Sequence, residues 1–437
     1  MPNCLTCRPG ITGEDARPRE DASEPARLDQ LLLDILREHP AHDPVGGFSP
    51  LTARDWEDLV RQSARHHISP LLYHRLRTGH PELPVPPAIT NALRQACLDN
   101  AARNLRLFHN LATVLQRLHD DSIPVIALKG AHLAALVYGS PSLRFMGDLD
   151  LLVKLEDVPR VDRLLLALGC QPTIQNRIVG GDIQEFVYLM PKRDVCLEIH
   201  WNILSSEFPF TIDTAGHWER SRPARIAGVD TAVLCPEDLF LHLCLHAGCT
   251  HGYEPGLKLF CDIAELLRQD PGLDWDLVVR LTREAGAGKC VYLTLMLTRE
   301  FLGITVPEPV MKALNPGVGT ERFQALARDQ VFSRKPRNGQ PLSMWPAVAR
   351  FWGTTRLRDK AALFCKGFFL PRESMARLYP APANSLRIYG YYVVRLRDIL
   401  HTYGPDVWRW LRGHPDIRAV ADEGNQLTTL KDWLMAP

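Results

Sequence analysis

No stretch of the chain approaches the roughly 18 consecutive apolar residues that a membrane-spanning helix needs. An excess of one charge is missing too: 51 Lys and Arg against 50 Asp and Glu leave a net charge of +1. That balance gives no global case for binding nucleic acid or a membrane surface. The N-terminus has no apolar core of the kind a secretory leader carries, and the eleven cysteines are odd in number and scattered. Both features fit a reducing cytoplasm. Internal repeats, low-complexity tracts and heptad runs are also lacking. What remains is ordinary globular material, 437 residues with 46% hydrophobic content, long enough for two to four structural units.

Two zinc patterns start and stop short. Cys4-x-x-Cys7 has no second cysteine pair to complete four ligands. His242 and His246 are helical i, i+4 neighbours with His251 following, but position 243 is Leu where a metalloprotease helix needs Glu. These histidines are expected to hydrogen-bond at a helix junction, with His246 near a cleft.

Residues 1–25 are polar and rich in Pro, Arg, Asp and Glu, and read as a disordered tail. Region 26–118 reads as helical, with helices over Leu28–Glu38, from Thr52 through Trp56, Leu59, Val60 and Ala64, and over Pro87–Leu118. A mixed core occupies 119–205, and a helical region at 206–310 completes a cleft. A second hairpin is expected around Arg225–Leu234, and helices over Pro236–Ala247 and Trp275–Phe301. Residues 306–345 hold several Pro, Gly and charged positions, which predicts a boundary or long loop. The region 311–437 reads as a C-terminal helical domain, with helices over Pro346–Phe369 and Leu386–Leu411. The fold class is α+β: a small mixed sheet flanked by N-terminal and C-terminal helical regions.

The chain is organised around Ile123–Trp201. Ile-Pro-Val-Ile-Ala-Leu leads as a strand into Lys129-Gly130, and Ala131–Tyr138 follows as a helix. Asp148-Leu-Asp-Leu-Leu-Val153 then reads as a strand, with two carboxylates on one face. Tyr188–His200 reads as a hairpin turning at Pro191–Asp194. Its alternation puts Val195, Leu197, Ile199 and Trp201 on one face and Cys196, Glu198 and His200 on the other. Set beside the Asp strand, this hairpin brings three carboxylates together. Like charges that close need a cation, and hard oxygen ligands suit Mg²⁺ or Mn²⁺. A second Asp-x-Asp, at Asp274-Trp-Asp276, lacks any strand context.

The order Leu128-Lys-Gly130, Arg144, Gly147-Asp-Leu-Asp-Leu-Leu-Val153 and Leu197-Glu-Ile-His-Trp201 resembles the nucleotidyltransferase-like family of the DNA polymerase β superfamily. Cys235–His246 and Leu257–Ala264 resemble the helical segment that follows that family's core, and the likeness runs from about Trp56 onward. The superfamily has Gly-Ser or Gly-Gly where this chain has Lys129-Gly130-Ala131.

The resemblance implies a nucleotidyltransferase core in which Asp148, Asp150 and Glu198 are catalytic and hold two Mg²⁺ (or Mn²⁺) ions. The substrate would be a nucleoside triphosphate and the acceptor an unidentified hydroxyl on a small molecule, peptide, protein or RNA. Gly130 opens a helix whose free N–H groups suit a phosphate, and Lys129 adds a point charge there. Arg144 is expected to reach a phosphate or brace the carboxylates. Lys258 is expected to face the triphosphate or to pair with Asp262 four residues on. His200, His246 and Asp262 are the further candidates for the cleft. Two other readings stay open: a noncatalytic nucleotide-binding or regulatory module, and transfer of another group, such as a sugar, from a nucleotide-activated donor.

Overall fold

Leu149, Leu151 and Val153 alternate with Asp148, Asp150 and Leu152 along strand β2 (Asp148–Val153), and that alternation sorts the whole molecule. The odd-numbered side chains enter one core and Leu152 enters another. The computed structural model describes residues 23–37, 51–173, 185–191, 195–205, 208–254, 256–317, 319–333, 384–412 and 415–436, with isolated positions between 358 and 382.

Before β2 come helices α1 (Ser23–Leu36), α2 (Ala53–Arg65), α3 (Ser69–Thr78) and α4 (Pro87–Asp120), then strand β1 (Val125–Ala127). Thr52 caps α2 in a reciprocal box with Asp55. Helix α5 (Lys129–His132) starts one residue earlier than its glycine implies and runs on as a π-turn over Leu133–Val137. After β2 follow α6 (Val158–Ala167), β3 (Gln171–Pro172), β4 (Glu185–Leu189) and β5 (Cys196–His200). Asp157 precedes α6 without capping it, because Arg160 takes its carboxylate at 2.8 Å.

Helix α7 (Thr214–Arg220) was not anticipated; β6 (Arg222–Ile226) and β7 (Val229–Val233) form the second hairpin. The seven strands lie in the order β3-β4-β5-β2-β1-β7-β6. β2 runs antiparallel to β1 and parallel to β5, and β1 is parallel to β7. This is a mixed sheet within an α+β fold, and it is wider than the central stretch alone implies.

One sheet face buries Val125, Ala127, Leu149, Leu151, Leu197 and Ile199 against Leu111, Leu115 and Leu118 of α4 and Val161 and Leu165 of α6. The other face buries Ile126, Leu128 and Leu152 in a larger helical core. Each Val, Leu or Ile side chain among these contributes on the order of 1.5–3 kcal/mol when fully buried. That larger core is built by α8 (Pro236–Leu245, extended by a π-turn over His246–Thr250), α9 (Leu257–Gln269), α10 (Trp275–Ala285) and α11 (Gly288–Leu302).

Residues 306–345 differ from expectation: their described part contains α12 (Glu308–Leu314) and α13 (Thr320–Phe332). Proline in a first helical turn starts a helix rather than breaking one, and Pro309 sits there in α12. Helices α14 (Arg387–Leu411) and α15 (Pro415–Met435) follow. The tail with Cys4 and Cys7, the turn at 192–194 and most of the helix expected over Pro346–Phe369 lie outside the described residues.

α15 is anchored firmly. Leu430 and Leu434 are buried, Trp433 stacks on Phe323 with ring centroids 4.3 Å apart, and Lys289 Nζ donates to the Ala436 carbonyl at 3.1 Å. Gly252 has φ +57°, which favours glycine, and a Cβ there would come within 2.3 Å of Leu427 Cδ1, which would have to move aside. No helix among the described residues is long and apolar enough to cross a membrane.

Candidate active site

β2 and β5 are parallel neighbours in a register that pairs Asp150 with Glu198 and Leu152 with His200. Paired residues point to the same side, so Asp150, Glu198 and His200 share the face turned toward the helical region. Asp148 lies one pleat earlier on that face. The ligand atoms of Asp150, Glu198 and His200 all lie within 4.8 Å of one another. His200 is therefore part of the donor cluster rather than a bystander. Its Nε2 is 3.1 Å from Asp150 Oδ1 and 3.4 Å from Glu198 Oε2, and its Nδ1 is 3.1 Å from Glu185 Oε2.

Lys129 closes the group from the other side, its Nζ donating to Asp150 Oδ1 at 3.1 Å. The strand ladder positions it: Leu128 N donates to the Asp150 carbonyl at 3.0 Å, and the next residue leans over the carboxylate. Burial opposes ionisation of Asp150, yet Lys129 and His200 hold its carboxyl well below the usual range. Repulsion from Asp150, with burial, pushes Asp148 up to about 6. Burial lowers the His200 pKa, but its hydrogen bonds to Asp150 and Glu198 outweigh this and raise it to about 9. Carboxylates packed this closely and joined by an imidazole make a donor set that fits a divalent cation.

The cleft, of about 910 Å³, is also lined by Lys258 and Lys431 and by the histidines His246 and His251. A volume of that size is typical of small-molecule sites. Burial and then the Arg144 charge lower Lys258 to about 8. His246 and His251 are held together at 2.9 Å between their Nε2 atoms, and burial with the Lys129 charge keeps His246 well below the ordinary histidine range. Their π-turn is stabilised by Lys431 of α15, whose Nζ donates to the Thr250 carbonyl at 2.9 Å. Apolar lining comes from Ile203, Leu204, Phe208 and Met435.

Arg144 lines the same cleft. Its forked guanidinium is buried and bonded to both oxygens of Asp262, which also accepts from Tyr138 Oη at 3.0 Å. This pair replaces the Lys258–Asp262 pair expected from helical spacing, and leaves Lys258 on the cleft wall. Gly130 also lines the cleft, where an added Cβ would meet its nearest neighbour, Arg144 Nη1, at an ordinary 3.5 Å.

Lys431, Met435, Glu185 and His67 all line the cleft and were missed from sequence. The hairpin register, which opposes Glu185 to His200, could have revealed Glu185. Nothing local to Lys431 points to a site lying 181 residues away at Thr250.

Neither comparison with curated proteins nor comparison with solved structures gives a match. A family model described as uncharacterised nucleotidyltransferase matches residues 52–303, more than half of the chain, ending well short of Lys431. The acids, Lys129 and Lys258 all fall inside that span, and the chain belongs to this nucleotidyltransferase family.

Proposed function

We propose that this protein is a metal-dependent nucleotidyltransferase that moves a nucleoside monophosphate from a nucleoside triphosphate to a hydroxyl acceptor. The observation that carries the reading is one cleft with acids on the sheet side and lysines on the helical side. A triphosphate with its cation is complementary to both walls at once.

Asp148, Asp150 and Glu198, with His200 beside them, would hold Mg²⁺ or Mn²⁺. An ion held there would supply charge neutralisation at the phosphates and would lower the pKa of the acceptor hydroxyl. Glu198, at the cleft surface, accepts the acceptor's proton as its oxygen attacks the α-phosphorus. The bond to the β-phosphate oxygen breaks and pyrophosphate leaves. Lys258 and Lys431 stabilise the charge that develops on it. Lys129 keeps Asp150 ionised, and Arg144 with Asp262 braces the loop leading to β2.

The acceptor class remains small molecule, peptide, protein or RNA. A regulatory nucleotide sensor is the second reading, and one observation favours it: Lys129 and His200 already neutralise Asp150. Calorimetric titration of a nonhydrolysable nucleoside triphosphate, with and without Mg²⁺ or Mn²⁺, on wild type and Asp150→Asn, tests both. Binding that needs metal and is lost in the variant is the expected result. Tight binding indifferent to metal and to the substitution would sink the metal-dependent reading in favour of the sensor.

A further inference from the structure

His67 holds a backbone conformation that its side chain makes costly. Its φ is +56°, in the left-handed region, immediately after the C-cap of α2. The turn is closed by Ile68 N donating to Ser63 O at 2.9 Å and His67 N donating to Ala64 O at 3.1 Å. Helices that end this way usually place glycine here, because a Cβ is disfavoured. Strain kept at one position is a reason to ask what the side chain does there.

The imidazole stacks on Phe145, with centroids 4.7 Å apart and planes 18° from parallel. The Arg103 guanidinium lies 5.2 Å from the centroid of the same Phe145 ring. His67 and Phe145 both line the cleft, and His67 is exposed. Phe145 stands three residues before Asp148, and His67 is near enough to Lys258 to sense its charge. Desolvation of the ring by its neighbours, then Lys258 and Arg103, lower the His67 pKa. At neutral pH the ring is an uncharged π face, not a further cation on the phosphate wall.

We propose that His67, propped by Phe145, is the platform on which the nucleobase of the bound nucleotide stacks. The inference rests on the nucleotide reading above and adds where the base lies. With phosphates at Lys258, His67 lies along the same cleft, close enough for that lysine's charge to reach its ring. Stacking on a bare ring face tolerates any base, since every base has a π face. This contact therefore supplies affinity without choosing among nucleotides.

The test is calorimetric titration of the full chain with Mn²⁺ present, using two probes: a nonhydrolysable nucleoside triphosphate and inorganic tripolyphosphate. His67→Gly is expected to melt no lower than wild type, to bind the nucleotide about tenfold more weakly, and to bind tripolyphosphate unchanged. His67→Phe, which keeps a ring, restores nucleotide affinity. His67→Asn, which also tolerates left-handed backbone, repeats the glycine comparison with a side chain present. Wild-type nucleotide affinity in both ringless variants overturns the platform while leaving the metal site standing. So does an equal loss for both probes, which would assign His67 to the phosphates. A wild type that binds tripolyphosphate but gains nothing from the nucleoside also overturns it. Binding of neither probe by wild type overturns the nucleotide reading itself.

Discussion

Arg144 donates to Asp262 through two parallel hydrogen bonds, Nε to Oδ1 and Nη2 to Oδ2, both 2.8 Å long and spanning 118 residues of chain. The pair ties the loop that enters β2 to helix α9, and so ties the acidic wall to the basic one. Arg144 is 6% exposed and Asp262 1% exposed, so neither has water to fall back on. Asp262→Ala leaves a buried guanidinium uncompensated and is expected to cost about 3–5 kcal/mol in urea unfolding. The double variant Arg144→Met with Asp262→Leu should recover much of that loss. A single-variant cost under about 1 kcal/mol would mean the pair is not a strut.

Asp148 gives one pH dependence of the metal-free protein, between about pH 4 and pH 6. Repulsion from Asp150, with burial, raises its folded pKa to about 6, above its ordinary value of 3.8. A raised carboxyl binds more protons folded than unfolded between those values, so stability falls as pH rises from about 4 to about 6. With chelator present, Asp148→Asn should therefore be more stable than wild type at pH 7 by about 1–2 kcal/mol, and no different below about pH 4. Thermal melts across pH 4–8 check this. Adding Mn²⁺ should reverse the order at pH 7, because the wild type alone keeps its full set of acids.

Lys431 tests whether α15 belongs to the site. Its ammonium lines the cleft and bonds the Thr250 carbonyl, while Leu430 and Leu434 beside it anchor the helix. Lys431→Gln should keep the melting temperature within a few degrees and weaken metal–triphosphate binding by roughly threefold to thirtyfold. The loss should shrink as salt is raised, since a partly exposed charge is screened. Unchanged affinity at low salt would remove α15 from the site.

The packing of α15 gives the fourth expectation. Gly252 allows α15 to approach, and a Cβ there would collide with Leu427 Cδ1 at 2.3 Å. Gly252→Ala also forces a side chain onto a φ of +57°. The backbone conformation, with a shift of the Leu427 side chain, should cost about 1–2 kcal/mol in urea unfolding. Hydrogen exchange should show the lost protection concentrated in Pro415–Met435, and uniform loss across the chain would contradict it.

How much of this was legible in sequence depends on the distance between partners. The alternation in Asp148–Val153 and in Cys196–His200 fixes which side chains share a face, because the strand period of two leaves no choice. Both strands are visible on that ground. That β5 lies parallel to β2 in the register Asp150 to Glu198 is a tertiary fact, and only it turns His200 into a donor. For Asp262, helical spacing offers Lys258 four residues away as one of two readings and cannot show Arg144, its partner across 118 residues. His67 was invisible because a helix end with histidine where glycine is usual carries no periodic pattern. The apolar positions Leu430 and Leu434 announce a helix that packs, but not what it packs on.

The reach of Lys129 to Asp150 has a consequence for how the chain assembles. The acids lie on neighbouring strands within a short span of sequence, whereas Lys258 and Lys431 arrive from far downstream. Contacts close in sequence tend to form before distant ones. During folding the carboxylates therefore meet while the opposite wall is still missing, and repulsion would push β2 and β5 apart. Lys129, only 21 residues before Asp150, arrives with the β1–β2 pairing and cancels charge at that moment. On this view Lys129 is a chaperoning charge built into the sheet, needed before any nucleotide is present. Slower refolding of Lys129→Gln at low salt, recovered at high salt, is the kinetic trace it should leave.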